Sequence, residues 1–482
     1  MNEPSIEISR MSTTMVRSVQ VGGLALSLAT GLAAAQAPTR PASRSGGPPI
    51  LIKNATVLTV TKGTLANTDV LLQNGKIAQI AQNIAAPAGT QVIDASGKYL
   101  MPGIIDPHSH MMSDAINEGS LSVTSMVRIR DVLNPTAINI YRALAGGVTT
   151  VNVLHGSANT IGGQSATVKL KYGRPIDDML FTGAPPGIKF ALGENVTRKN
   201  SVGQPGRPRR YPATRMGQEE VLRDAFTRAQ DYKKTWEEYR ARVARGDKTA
   251  AAPRKDLELE PLVEVLDGKR LVHAHSYRAD EMLMLLNLAD EFGFKVKTLQ
   301  HGLEGYKIAT EIAKHGAGLS TFADSWSYKI EAYDAIPYNV AILMRHGVVT
   351  TINSDSDERV RRLNIDAAKL MRYGGLTEDE ALRTITYNGA WQLGVQDRVG
   401  SIEVGKDADV AIWSSHPLSV YSSVETTIID GDVFFDKKRD LALREQMQKD
   451  RAELERAEPN ALTRDQNRRV LPVVPDQGGV KR

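Results

Sequence analysis

The chain has 482 residues, of which 41% are hydrophobic and 24% charged, the balance of a protein that buries a sizeable core rather than a fibrous, coiled-coil or disordered one. Lys and Arg number 60 against 55 Asp and Glu, a net +5 diluted over the whole chain, and aromatics make up only 5%; this argues against a nucleic-acid partner. Cysteine is absent, which excludes disulfides, thiolate-bound zinc and thiol nucleophiles and leaves His, carboxylate or modified Lys for any metal.

In chain order, Arg10 and Arg17 precede an apolar run over 21–35 that ends in small residues, with Ala-x-Ala sites at 33–35 and 35–37. Residues 1–37 therefore read as a secretory signal peptide, with Met11 or Met15 as alternative starts. The run is shorter than the ~20 residues of a spanning helix, so no stable membrane span is expected after cleavage. A periplasmic or secreted location follows. Residues 38–48 are rich in Pro, Ser and Gly and read as a linker.

Residues 49–102 alternate short β-rich runs with turn signals, including Asn74-Gly75, and a matching pattern returns over 400–436 around Asp430-Gly431. Asn-Gly and Asp-Gly between apolar runs are hairpin signals, so one small β-sandwich built from both chain ends is expected.

Between them, over 103–399, lie eight strand-like apolar runs, at about 103–108, 147–153, 165–171, 186–192, 269–275, 294–300, 316–321 and 347–353. Several are separated by helical patterns, such as Met282, Leu285, Leu286, Ala289 and Phe292 on one face. The expected fold is α/β, a (β/α)8 barrel with an insertion at 194–268. A doubly wound sheet lacks support, because no Gly-rich phosphate fingerprint follows an early strand. The insertion carries a basic loop, with Arg198, Arg210 and Arg215 among its cations, then a long charged helix over about 218–245; 437–482 reads as an exposed helix and a loose tail.

In a barrel the C-terminal ends of the strands face the chemistry. His108 and His110 end the first run in PGIIDPHSH, and their i, i+2 spacing puts both imidazoles on one side of a strand. His273 and His275 repeat the spacing on the fifth strand, His301 ends the sixth, Asp355 ends the eighth, and His155 follows the second. Six of the nine histidines thus fall at or just past strand ends. His315 and His346 precede Gly at helix ends and His416 lies in a loop, so these three read as structural. Lys189 lies among apolar neighbours on the fourth strand, where a cation must be paired, neutralised or modified. It is either a carboxylated bridge between metals or the partner of Glu194 or Asp355.

The PGxxDxHxH segment, the later His, His and Asp, the two-ended β-sandwich and GSIEVGKDADVAIW together resemble the metal-dependent amidohydrolase superfamily, in particular imidazolonepropionase-like amidohydrolases, over about residues 50–436. The resemblance implies one or two divalent ions, with zinc expected. It implies His108, His110 and Asp355 at the first metal, Lys189 as carboxylated bridge with Glu194 as its rival, and His273 and His301 at the second. His275 is then beside the metals or facing substrate.

The reaction implied is hydrolysis of amide or peptide-like C–N bonds, with Asp355 moving the proton and N-acyl amino acids or dipeptides as substrates. Arg198, Arg210 and Arg215 are candidate clamps for a substrate carboxylate, or else surface and subunit-contact residues. His155, with Asn159 and Gln164, is a candidate polar wall. Cyclic amides, lactones and heterocycle deamination share the same metal chemistry. A barrel kept as a non-catalytic scaffold is the rival of another class, and a homo-oligomer is expected.

Overall fold

The computed structural model describes residues 47–201 and 210–457, without the side chains of 198–201. The signal-peptide reading, almost all of the linker and the tail beyond 457 lie outside the described residues. No described helix is long and apolar enough to cross a membrane.

The first strands are β1 (Ile50–Leu58), β2 (Thr64–Gln73), β3 (Lys76–Ala81), β4 (Gln91–Asp94) and β5 (Tyr99–Pro102). The barrel follows with β6 (Ile104–Ser109), β7 (Val148–Val153), β8 (Ile161–Lys169), β9 (Gly187–Ala191), β10 (Leu271–Ser276), β11 (Val296–His301), β12 (Gly318–Thr321) and β13 (Thr350–Ile352). The chain then returns through β14 (Val410–Trp413), β15 (Val424–Ile429) and β16 (Asp432–Asp436) to the first sheet.

That sheet runs β16-β15-β14-β5-β1-β2-β3, with β4 also on β1. One edge of β1 is divided, pairing with β4 through Ile50–Lys53 and with β5 through Thr56 and Val57, so the sheet forks and closes over its own apolar face. Ile52, Val57, Val70 and Leu100 from the first segment meet Ile402, Val410, Ile412 and Ile428 from the last. Both expected hairpins are present, β2 with β3 and β15 with β16. Their turns, Asn74-Gly75 and Asp430-Gly431, have positive φ at both residues, the twist a two-residue hairpin requires.

The eight barrel strands run in sequence order from β6 to β13, each where an apolar run predicts one. One feature departs from a (β/α)8 pattern: β8 is antiparallel to both β7 and β9. Only residues 154–160 join β7 to β8, too few for the crossover a parallel pair needs, so the chain must turn straight back. The ring is drawn together between its first and last strands by Asp355 N–H donating to the His108 carbonyl at 3.2 Å and by Ser354 Oγ donating to Asp106 Oδ2 at 2.5 Å.

Helices cover the barrel where the apolar period predicts them. In Ala279–Phe292, Met282, Leu285, Leu286 and Ala289 are buried, and Gly293 ends the helix in the left-handed conformation at φ 79°. The insertion supplies Glu194–Ser201, Arg215–Ala244 and Glu260–Leu266. Only the first half of the long helix carries buried residues; Phe226 stacks on Phe294 at 4.4 Å. The last described helix, Lys437–Ala457, is almost wholly exposed.

Lys169, at the end of β8, is buried against three carboxylates: Asp407 at 2.8 Å, Asp409 at 3.0 Å and Asp430 at 2.5 Å. Arg398 adds a bidentate contact to Asp407 at 2.9 and 2.6 Å. Burial pushes the Asp409 carboxyl up to about 6, against the pull of Lys169. This network fastens the barrel to the terminal sheet.

Candidate metal centre

β6, β9, β10, β11 and the end of β13 converge their side chains at one end of the barrel. His108 Nε2 lies 3.3 Å from His110 Nε2, 3.3 Å from Lys189 Nζ and 3.5 Å from Asp355 Oδ1. His110 Nε2 is 3.1 Å from Asp355 Oδ1, and His301 Nε2 is 4.0 Å from Asp355 Oδ2. His108, His301 and Asp355 each bring a ligand atom within 4.8 Å of the others.

The hydrogen bonds of the two leading histidines fix their chemistry. His110 Nδ1 is 3.0 Å from the Leu154 carbonyl, and His108 Nδ1 is 3.0 Å from Gln300 Oε1. Both oxygens only accept, so each Nδ1 carries the proton and each Nε2 of a neutral ring is left as a lone pair. Two imidazole lone pairs and a carboxylate oxygen therefore face one another at 3.1–3.5 Å. Such a set repels itself unless a cation lies among its members; Lys189 Nζ lies beside His108 Nε2, and the donor chemistry of the set as a whole fits a divalent metal.

Burial reinforces this. It pushes His108 and His275 well below the ordinary imidazole range, and His301 and His273 down to about 3, helped by the Lys189 charge; all four rings are held neutral, as ligands must be. Lys189, fully buried, is pulled down to about 8 by desolvation despite the charge of Asp355. For Asp355, burial works to raise the pKa but is outweighed by the contact with His110 and the charge of Lys189, so the group is held below its ordinary value and ionised.

The strand register sets the two fifth-strand histidines at different depths. His275 pairs with Gln300 and its neighbour Ser276 with His301, whereas His273 is level with Lys189, one layer deeper in the barrel. His275 has its ring centroid 4.5 Å from that of His301 and neither nitrogen hydrogen-bonded. It is an orphaned buried imidazole beside the cluster.

His155 is tied into the surrounding loops. Its Nε2 accepts from Glu118 N at 2.8 Å and its Nδ1 donates to Gly156 O at 2.8 Å, so both nitrogens serve loop packing. Asn159 donates to Glu118 O, Leu121 O and Thr124 Oγ1, and Gln164 to Ser125 O. Arg210 donates to the carbonyls of Gly119, Leu121 and Ala158, and Arg215 bridges the buried Glu281 and Glu331. These arginines hold loops rather than an open clamp. The side chain of Arg198 lies outside the described residues. Glu194 starts a helix, with Lys329 3.8 Å away; it is Lys189 that reaches His108.

Two positioning residues are absent from the expected set. Asp106 Oδ1 accepts from His108 N and Ser354 N, each at 3.2 Å, so one buried carboxylate sets both the first histidine and the segment carrying Asp355. Gln300 fixes the His108 tautomer. Asp106 shares strand parity with His108, which is a signal in the sequence. Gln300 precedes a residue with φ 70°, a break in alternation that no sequence pattern announces.

The model of the Amidohydrolase family matches residues 99–434. The chain belongs to that family. It is 31% identical to amidohydrolase tasK of Hapsidospora irregularis over 434 residues, 81% of this chain, but spans only 44% of that protein. It is 24% identical to imidazolonepropionase of Mesorhizobium japonicum over 73% of this chain and 87% of the relative. Among solved structures, an amidohydrolase from Thermotoga maritima MSB8 is 35% identical, with a TM-score of 0.74 over 80% of this chain and all of that one. The family assignment agrees with the resemblance carried by PGIIDPHSH and GSIEVGKDADVAIW.

Proposed function

We propose that this amidohydrolase-family chain is a metal-dependent hydrolase of C–N bonds, acting on N-acyl amino acids or dipeptides. The observation that carries the reading is the inward-facing set of His108 Nε2, His110 Nε2 and Asp355 Oδ1, three acceptor atoms that converge beside Lys189 Nζ. His108, His110 and Asp355 would hold one ion. His301 and, from its position, His275 would hold a second, and Lys189 would lie between. A divalent metal bound there supplies an acidified water and polarises the scissile carbonyl.

The chain's own residues do the rest. Asp355, kept ionised beside Lys189, takes a proton on a carboxylate oxygen and returns it to the leaving nitrogen as the C–N bond breaks. Gln300 and Leu154 O keep both imidazole protons on Nδ1, turned away from the reacting face. Lys189, held at about 8, has a usable neutral fraction near neutral pH. Its Nζ could add to carbon dioxide, releasing one proton to solvent, and the anionic carbamate so formed would offer oxygen ligands to a bound metal. The apolar run over 21–35 supports export to the periplasm or beyond.

Purified protein loaded with zinc is expected to hydrolyse at least one member of a panel of N-acyl amino acids and dipeptides, to lose that activity on chelation and to regain it on readdition of metal. Activity on cyclic amides or lactones alone would move the substrate class; inactivity on every class with metal bound would favour a scaffold.

A further inference from the structure

The flank of His301 is apolar in a way that the metal chemistry does not require. The His301 ring is sandwiched between Tyr277, parallel within 8° at 5.0 Å, and Phe322, at 5.1 Å and 28°. Tyr277 and Phe322 belong to a small buried cluster with Leu303, Ala332 and Ala335, beneath the segment that follows β12. From that segment Tyr328 leans edge-on against Tyr277 at 6.3 Å, its hydroxyl 2.6 Å from the Tyr277 hydroxyl. Both phenols feel the charge of Asp355. Yet the Tyr328 side of the pair faces solvent, with 54% of the residue exposed.

The charges beside this wall are matched within the protein. Lys329 lies 3.8 Å above the Tyr277 ring, with Glu331 at 3.6 Å and Glu194 at 3.8 Å, and Arg215 is bound to Glu281 and Glu331. A continuous aromatic surface thus leads from a metal-site imidazole to the open rim. An aromatic face half in water gains by covering, and an aromatic or branched substrate group is the natural complement.

We infer that Tyr328, backed by Tyr277, forms an apolar subsite beside the metal centre and is the residue that selects substrates with an aromatic or large aliphatic group next to the scissile bond. This rests on the hydrolase reading and adds the substrate class to it. Tyr328 acts by its ring, so the phenol proton is dispensable for selection.

The test uses the full zinc-loaded protein and two metal-anchoring probes, phenylacetohydroxamate and acetohydroxamate, with affinities measured by calorimetry. The wild type is expected to prefer the phenyl probe by roughly tenfold or more, the scale on which an apolar pocket discriminates. Tyr328→Phe should keep that ratio within about twofold, whereas Tyr328→Ala should bring it close to unity. Equal affinities in the wild type, or a ratio unchanged in Tyr328→Ala, would overturn the subsite alone. Binding of neither probe would overturn the metal-centre reading and the subsite with it. A wild-type oligomer that falls apart in Tyr328→Ala, read by sedimentation, with the ratio unmoved would make this surface a contact between copies and overturn the proposal.

Discussion

Asp355→Asn is expected to lower kcat by about a thousandfold or more, the scale of a lost proton-transfer group. Three features of this residue converge on that number. Its carboxylate faces His108, His110 and His301 at 3.5, 3.1 and 4.0 Å. Its ionised state is maintained against burial by the His110 contact and the Lys189 charge. Its backbone is held by a bond from its N–H to His108 O and adopts φ 44°, a left-handed conformation that Asn tolerates. The substitution therefore removes the proton acceptor and weakens one ligand while leaving the main chain undisturbed. Steady-state rates on the best substrate of the panel, beside a melting curve, check this: the rate should collapse and the melting temperature of the chelated protein should barely move. A rate within tenfold of wild type would place the proton transfer on another group.

The second large effect is on stability. Lys169→Met should destabilise the protein by about 3–5 kcal/mol, the cost of stranding a buried partner of opposite charge. Among the described residues, Lys169 is the one cation that touches Asp407, Asp409 and Asp430 together at the junction of barrel and terminal sheet. Without it Asp409, already raised to about 6 by burial, loses the charge that opposes that rise and titrates higher still. The sign follows from linkage: the folded variant then holds a proton that the unfolded chain has released, so the deficit grows as pH rises and shrinks as it falls. Urea unfolding of wild type and variant at pH 8 and pH 5.5 measures it. A loss below about 1 kcal/mol would mean that the carboxylates find other partners.

Much of the fold was legible because a buried strand writes its position as an apolar run. PGIIDPHSH and LVHAHS carry their histidines at a spacing that only one face of a strand can use. Direction is another matter. The run that became β8 reads the same whichever way it points, and only the seven residues of 154–160 decide it. His273 and His275 both face the interior, and choosing between them needs the register against β11, a long-range fact. The arginines of the insertion looked available because their partners, Glu281 and Glu331 for Arg215 and the carbonyls around Gly119 for Arg210, lie 66 to 116 residues away. The partner of His155, Glu118, likewise comes from the long loop after β6 and is not announced by sequence.

The account stands on a cation at the meeting point of β6, β11 and the end of β13, and diffraction from crystals grown with zinc, recorded on both sides of the zinc absorption edge, tests it most directly. The prediction is one or two anomalous peaks bounded by His108 Nε2, His110 Nε2 and Asp355, with His301 and His275 on the second if it is occupied. Fully loaded crystals with no peak in that space, or with zinc bound only elsewhere on the chain, would contradict it.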